Sequence, residues 1–207
     1  MSDSPGRPVR PDGEARLVWP DGESRHVWPD GESRLVWQGR FLEAHVAPWG
    51  SSGQWEYVKR TRGVQAAVIL ALTDSHEIVL VEQYRPPLGR QCIELPAGLV
   101  GDGIEGEDVF ASARRELHEE TGFEAARWEP FGEFASSPGM VGEIFHLFRA
   151  TGLSRTGAGG GTPTEGIRVH VVAVSAIPAF IADARARGCA IDTRLLIGLN
   201  LLGQTPA

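Results

Sequence analysis

The sequence predicts an α+β fold, an α/β/α sandwich around a mixed β-sheet, preceded by a small N-terminal β-strand region. Three observations predict it. Short apolar or alternating runs recur from Arg34 onward, and some are apolar throughout, as strands buried on both faces are. One amphipathic segment, Glu107 to Thr121, interrupts them. Two more helical segments, "PAFIADARARG" and "DTRLLIGLNLL", close the chain. Mixed strands with a few helices form layered domains.

The chain begins with a repeat. "PDGEARLVW", "PDGESRHVW" and "PDGESRLVW" run from Pro11 to Trp37, each a Pro-Asp-Gly turn followed by a segment ending in Val-Trp. The period is too short for the common stacked solenoids, so residues 1–34 are expected to be a tandem expansion of one strand and turn, partly flexible. The competing reading is a partner-binding arm that displays Trp19, Trp28 and Trp37. The third copy merges into the strand "RLVWQGRFLEAHVAP", which with "QWEYVKRT" makes a strand region over residues 35–62. The main domain is expected over residues 63–207.

In that domain "GVQAAVILALT" is a continuous apolar run, a buried strand. "HEIVLVEQYR" follows a turn at Asp74–Ser75 and completes a hairpin with it. "QCIELPAGLV" is one further strand ending at Pro96 and Gly98, and "GDGIEGED" is a loop. The helix over Glu107–Thr121 carries an apolar stripe of Val109, Ala113 and Leu117, acids at its start, and Gly122 where a C-terminal cap belongs. "WEPFGEFAS", "EIFHLFRATGL" and "IRVHVVAV" read as strands. "SRTGAGGGTPTEG" reads as a mobile loop, because its glycine density cannot hold a regular element.

Bulk properties narrow the function. A length of 207 residues allows one sizeable core. The net charge of −7 argues against a nucleic-acid surface and suits a site that gathers divalent cations. Cys92 and Cys189 lie far apart without metal spacing, which points to a reducing compartment, and Cys92 reads as a small buried hydrophobe. The N-terminus has no signal-peptide core and no run is long enough to span a bilayer, so a cytoplasmic location is expected. The six histidines show no ligand spacing and are read as non-catalytic.

The chemistry concentrates in "ARRELHEETGF", Ala113 to Phe123. On a helix, Glu116 and Glu120 lie one turn apart on one face with Glu119 beside them, a repulsion that weakens a helix by roughly a few tenths of a kcal/mol per pair. A cation set among them removes that cost. A solvated acidic face would account for Glu119 and Glu120, but not for the placing of Glu107, Arg115 and the glycines around them. Mg²⁺ suits such a place, because it favours carboxylate oxygens while keeping water and phosphate ligands. Arg115 is suited to holding one of the carboxylates by paired hydrogen bonds.

In its context, "GDGIEGEDVFASARRELHEETGF" fits Gly-x5-Glu-x7-Arg-Glu-Leu-x-Glu-Glu-x-Gly-hydrophobic through Gly101, Glu107, Arg115, Glu116, Glu119, Glu120 and Gly122. This resembles the signature of the Nudix hydrolases and implies the Nudix fold. "WEYVKRT", "VLVEQYRPPLG", "CIELPAGLV", "SSPG" and "TEGIRVHVV" look like the ADP-ribose pyrophosphatase branch, in the expected order from about Gly39 to the C-terminus. The chain departs at one point. The branch normally counts its signature from the glycine of "PAG", here Gly98, and from there the loop to Glu107 is three residues long in excess.

The resemblance implies roles. The Ala97 carbonyl, Glu116 and Glu120 would bind the metal, Mg²⁺ with Mn²⁺ as the alternative. Arg115 and Glu119 would support catalysis. Glu165, in "TEGIRV", matches the loop glutamate that activates water, with Glu143 as a second candidate. Phe41 and Trp55 match positions that stack adenine, Glu56 and Arg60 match polar contacts to the base, and Arg85 matches a phosphate-binding arginine. Ordinary packing is the competing reading for the two aromatics. The implied activity is Mg²⁺-dependent hydrolysis of ADP-ribose, or of ADP-sugars more broadly, to AMP and ribose 5-phosphate. The alternatives are another nucleoside diphosphate sugar such as GDP-mannose, or a non-catalytic ADP-ribose sensor. A homodimer is expected, with neither nucleic acid nor membrane as partner.

Overall fold

The computed structural model describes residues 15–18, 24–27, 33–49, 53–101, 104, 106–162 and 165–204. The chain divides into two compact units. One comprises Met1–Gly63 with Ser137–Gly142, and the other Val64–Ser136 with Glu143–Ala207.

In the first unit, β1 (Ala15–Val18) pairs antiparallel with β2 (Ser24–Val27), so two of the repeats each contribute a short strand. Most of the repeat region, and with it the expected flexibility and the tryptophans Trp19 and Trp28, lies outside the described residues. The expected single strand "RLVWQGRFLEAHVAP" is two strands. β3 (Arg34–Gln38) turns back at Gly39 into β4 (Leu42–Trp49), because the Gly39 N–H donates to the Leu42 carbonyl at 2.8 Å and closes a tight turn. β5 (Gly53–Arg60) completes the antiparallel sheet β3-β4-β5. The segment Ser137–Gly142 joins this unit by backbone bonds to Val58, from its N–H to Met140 and to its carbonyl from Gly142, both at 2.9 Å.

The second unit is built on two four-stranded sheets. β6 (Ala66–Ala71), β9 (Ala97–Leu99), β10 (Phe123–Ala135) and β11 (Ile144–Arg155) form one, in the order β10-β11-β6-β9. β7 (Glu77–Arg85), β8 (Arg90–Glu94), β12 (Arg168–Ala173) and β13 (Ala190–Ile191) form the other, in the order β12-β7-β8-β13. Each sheet is mixed, with one parallel pair, β11–β6 and β13–β8.

Two sequence expectations are corrected here. β6 and β7 are not a hairpin: they go to different sheets and share only a bridge between Leu72 and Ile78. The reason is burial. Every residue of β6 is buried, so both its faces need cover, which a two-stranded hairpin cannot supply. "QCIELPAGLV" likewise splits into β8 and β9, one in each sheet, at Leu95-Pro96, where proline cannot donate to a ladder.

The alternation of β6 organises the layers. Val68 and Leu70 face a core with Ile78, Leu80, Ile93, Leu95, Phe145 and Leu147, closed by α2 (Ile177–Ala186) and α3 (Thr193–Leu201) through Ile177, Ala184 and Leu195. Ala67, Ile69 and Ala71 face the opposite way, against Ala113 and Leu117 of α1 (Val109–Thr121), with Val79 and Phe148 beside them. Small residues at 67 and 71 let α1 lie close to the strand. The result is the expected α/β/α sandwich. Among the described residues no helix is long and apolar enough to cross a membrane.

Leu117→Ala is expected to lower the urea unfolding free energy by about 2–5 kcal/mol through the cavity it leaves, whereas Leu196→Ala, on the exposed face of α3, should change it by no more than about 0.5 kcal/mol. Both cysteines are buried, and burial pushes the Cys92 thiol up to about 12. Its reactive thiolate therefore forms only far above neutral pH, so Cys92 should resist a disulfide-exchange reagent at pH 8 until denaturant is added. Rapid labelling of Cys92 in the native protein would contradict its placement.

Candidate active site

The site is assembled around α1. Its helix begins at Val109 rather than Glu107, because Asp108 is the cap and accepts from the Ala111 N–H at 2.8 Å. That leaves the Glu107 side chain for another task. Arg115 donates Nε to Glu107 Oε1 at 2.8 Å and Nη2 to Glu107 Oε2 at 3.0 Å, a two-pronged pair. Glu107 Oε2 also accepts from the Gly101 N–H at 3.0 Å. The Arg115 guanidinium therefore holds Glu107 well below the usual carboxylate range, and is itself raised by that bond.

The other prong of the same guanidinium reaches along the helix. Arg115 Nη1 donates to Glu116 at 2.7 Å and to Glu119 at 3.0 Å. A further bond joins Nη2 to the Leu99 carbonyl of β9 at 3.3 Å, and the Ser112 hydroxyl donates to that carbonyl at the same distance. One arginine thus ties the loop before the helix, two helix carboxylates and the adjacent strand.

Glu120 is 5% exposed and accepts from the Ala97 N–H at 3.0 Å. Burial pushes its carboxyl up to about 8, opposed by the Ala97 bond and reinforced by the charges of Glu116 and Glu165. Burial also raises Glu116, against the pull of Arg115. Gly98 passes so close to Glu116 that a Cβ there would lie 1.9 Å from its carboxyl carbon. The "PAG" glycine thus makes room for a helix carboxylate, while Gly101 anchors Glu107; the lengthened loop uses both.

These residues suit a hard divalent cation. The donors are carboxylate oxygens beside the backbone of Ala97, and two of the carboxyls are destabilised as anions by burial and mutual repulsion, which a cation would relieve. Among the described residues no three His, Cys, Asp or Glu side chains converge on one point. A cation held here would draw its remaining ligands from water or phosphate, as Mg²⁺ commonly does.

The glycine-rich segment is irregular, as expected, and it is bonded to the end of α1. The N–H groups of Thr156 and Gly157 donate to the Gly122 carbonyl at 2.9 and 3.0 Å, Gly160 to Glu120 at 2.7 Å, and Gly161 to Glu119 at 3.0 Å. It thereby satisfies carbonyls that the end of α1 leaves unpaired. A Cβ at Gly159 would lie 2.4 Å from the Thr121 carbonyl carbon, so glycine here is a condition of contact. Beyond it, Glu165 is exposed and accepts from the Thr162 N–H at 2.6 Å and the Thr162 hydroxyl at 2.9 Å. Its charge acts on Glu116 and Glu120. Glu143, the second candidate base, is half-buried at the start of β11, and its carbonyl accepts from the Ser136 N–H at 3.3 Å.

Arg85, at the end of β7, has Nε on Glu94 Oε1 at 2.6 Å and Nη2 on Glu94 Oε2 at 2.7 Å. The remaining sequence candidates lie in the first unit. Phe41 is 63% exposed, with the Arg40 guanidinium 4.9 Å from its ring centre. Trp55 lies 4.8 Å from Trp49, and its indole N–H donates to the Gly139 carbonyl at 3.0 Å. Ordinary core packing is therefore not what holds Phe41. Glu56 and Arg60 share one face of β5 and Trp55 takes the other, as alternation requires. Trp49 escaped the sequence reading; its cross-strand proximity to Trp55 follows only from the β4–β5 register.

Gly98→Ala is expected to leave secondary structure and melting largely intact, since the atom in its way ends a flexible side chain. Displacing Glu116 should lower any metal-dependent turnover on the order of 10²-fold. Circular dichroism and a turnover assay on the same sample check both halves.

The family model for the NUDIX domain matches residues 62–188. An ADP-ribose pyrophosphatase of Bacillus subtilis is 40% identical over 114 residues, covering 55% of this chain and 58% of that protein. A GDP-mannose pyrophosphatase of Citrobacter koseri is 31% identical over 149 residues, covering 68% and 74%. Several relatives are matched over only part of their length, the chain spanning 44% to 62% of three of them. A crystal structure of an ADP compounds hydrolase shares the fold with a TM-score of 0.63 at 21% identity, covering 84% of this chain and 94% of that one. With the family model matched over more than half of its residues, and its glycines, Glu107, Arg115 and the helix glutamates engaged with one another, the chain belongs to the NUDIX family.

Proposed function

We propose that this protein hydrolyses the diphosphate bond of ADP-ribose, giving AMP and ribose 5-phosphate, with Mg²⁺ or Mn²⁺ as cofactor. The observation that carries the reading is the pair of desolvated carboxyls, Glu116 and Glu120, fixed one turn apart by Arg115 and the Ala97 N–H. A bound Mg²⁺ supplies charge neutralisation on phosphate oxygens and lowers the pKa of water it binds.

The chain's own residues do the rest. Glu116, Glu120 and the Ala97 carbonyl would hold the cation. Arg115 keeps Glu116 and Glu119 oriented, and Glu107 keeps Arg115 in place. Arg85 offers Nη1, which has no partner among the described residues, to phosphate oxygens. Glu165 takes the proton from the attacking water once it leaves Thr162, and its charge already acts on both buried glutamates, which favours it over Glu143. Phe41 and Trp55 supply aromatic faces for adenine, with Glu56 and Arg60 as polar contacts from the other face of β5. Because those two faces point apart, a homodimer, in which a second copy brings its own strand region, is part of the proposal. A cytoplasmic location belongs to it as well.

A GDP-mannose substrate is the second reading, favoured by the relative that covers more of this chain. The test is turnover of ADP-ribose against GDP-mannose with Mg²⁺, for the intact chain and for Glu120→Gln. ADP-ribose cleavage that falls at least about 10³-fold in the variant and vanishes with a chelator is expected. Cleavage of GDP-mannose alone would replace the substrate. Binding of ADP-ribose without turnover of either would make the protein a sensor.

A further inference from the structure

Glu94 ends β8 with 1% of its surface exposed, an unfavourable place for a carboxylate unless it is fully paired. Two guanidinium groups pair it. Arg85 grips both of its oxygens, and Arg194, in the first turn of α3, donates Nη2 to Oε2 at 3.1 Å. Arg194 is fixed in turn by Asp192, the α3 cap, which accepts its Nε at 2.8 Å and its N–H at 2.7 Å. The Asp192 N–H donates to the Ile93 carbonyl at 3.0 Å, so α3 is anchored beside the same strand end.

This quartet could be a tie between β7, β8 and α3 and nothing more. Two features say otherwise. β7 and β8 are already joined by a backbone ladder that runs to the Arg85–Arg90 pair. And Arg85 gives Glu94 only its Nε–Nη2 edge: the side chain remains 37% exposed and Nη1 has no partner among the described residues. A carboxylate engages one edge of a guanidinium, so the pair with Glu94 leaves the Nη1 side of Arg85 available to a second anion. The clamp stands next to the chemistry along the chain: Glu94 lies three residues before Ala97, whose N–H donates to Glu120 at 3.0 Å.

We propose that Glu94 and Arg194 are positioning residues for Arg85: the buried carboxylate fixes the plane of the Arg85 guanidinium, and Arg194 fixes the carboxylate, so that the open edge of Arg85 meets the diphosphate of a nucleotide sugar. The proposal rests on the diphosphate-hydrolase reading and extends it to a residue of α3, remote in sequence from the NUDIX signature. Glu94 also separates two like charges. Without its negative charge Arg85 and Arg194 repel, and Arg85 turns away.

The test is a double-mutant cycle of Glu94→Gln with Arg85→Ala, read as kcat/KM for whichever nucleotide sugar the wild type cleaves, with Arg194→Met run alongside. Each of Glu94→Gln and Arg85→Ala should lose on the order of 10²-fold. The double variant should be no slower than Arg85→Ala alone, because a positioning residue has nothing left to position. Arg194→Met, which leaves the Arg85–Glu94 pair in place, should lose several-fold, and that loss should vanish in the Arg85→Ala background. It carries the test if Glu94→Gln does not fold. Losses that multiply would make the quartet a structural tie and overturn the proposal. Wild-type turnover in Arg85→Ala would also overturn it, while leaving the hydrolase reading intact. If the wild type cleaves no nucleotide sugar, the hydrolase reading fails, and the same cycle read as calorimetric affinity for ADP-ribose decides the positioning: a non-additive loss supports it, and an additive loss overturns it.

Discussion

The clamp of Arg115 on Glu107 is the contact on which the rest of the site depends. It is strong because the two groups meet through two charge-assisted bonds, shielded in part from water. The same guanidinium then reaches Glu116, Glu119 and the Leu99 carbonyl. Without it, three carboxylates within one helical turn would repel, and Glu107 would lose its two-pronged partner. The arginine fixes the direction of the carboxylates and leaves Glu120, which it does not touch, to be held by the Ala97 N–H.

Backbone proximity is the second constraint, and it sets where the glycines stand. At Gly98 a strand comes within contact of the Glu116 carboxyl, and around Gly159 a loop lies on the end of α1. Both contacts bring backbone donors and helix acceptors together where a side chain would hold them apart. The glycine-rich segment is therefore docked on the end of α1 through Gly160 and Gly161. Composition alone suggests mobility; the hydrogen bonds from Gly160 and Gly161 to the last turn of the helix show what that composition is for.

The legible part of the fold was the part governed by local pattern. The helix, its Gly122 cap, the buried strands and the two closing helices all follow from periodicity and capping, which act within a few residues. Sheet membership did not follow. β6 and β7 look like a hairpin because a turn separates two apolar runs, yet each is recruited to a separate sheet. Pairing is decided by which strands can satisfy the backbone edges of a strand whose faces are packed, and two of those edge partners, β11 for β6 and β12 for β7, lie far along the chain.

The site divides the same way. By itself the sequence determined the chemistry, since residue types at fixed helical spacing set which carboxylates share a face and which arginine stands beside them. Only the tertiary structure decided what those groups contact: that Gly98 packs on Glu116 while Gly101 binds Glu107, that the glycine-rich loop docks on α1, and that Arg85 is held by Glu94 and Arg194. The reason is physical. Helical spacing is fixed by covalent geometry and short-range bonds, whereas a buried charge finds its partner wherever folding brings an opposite charge within hydrogen-bond reach.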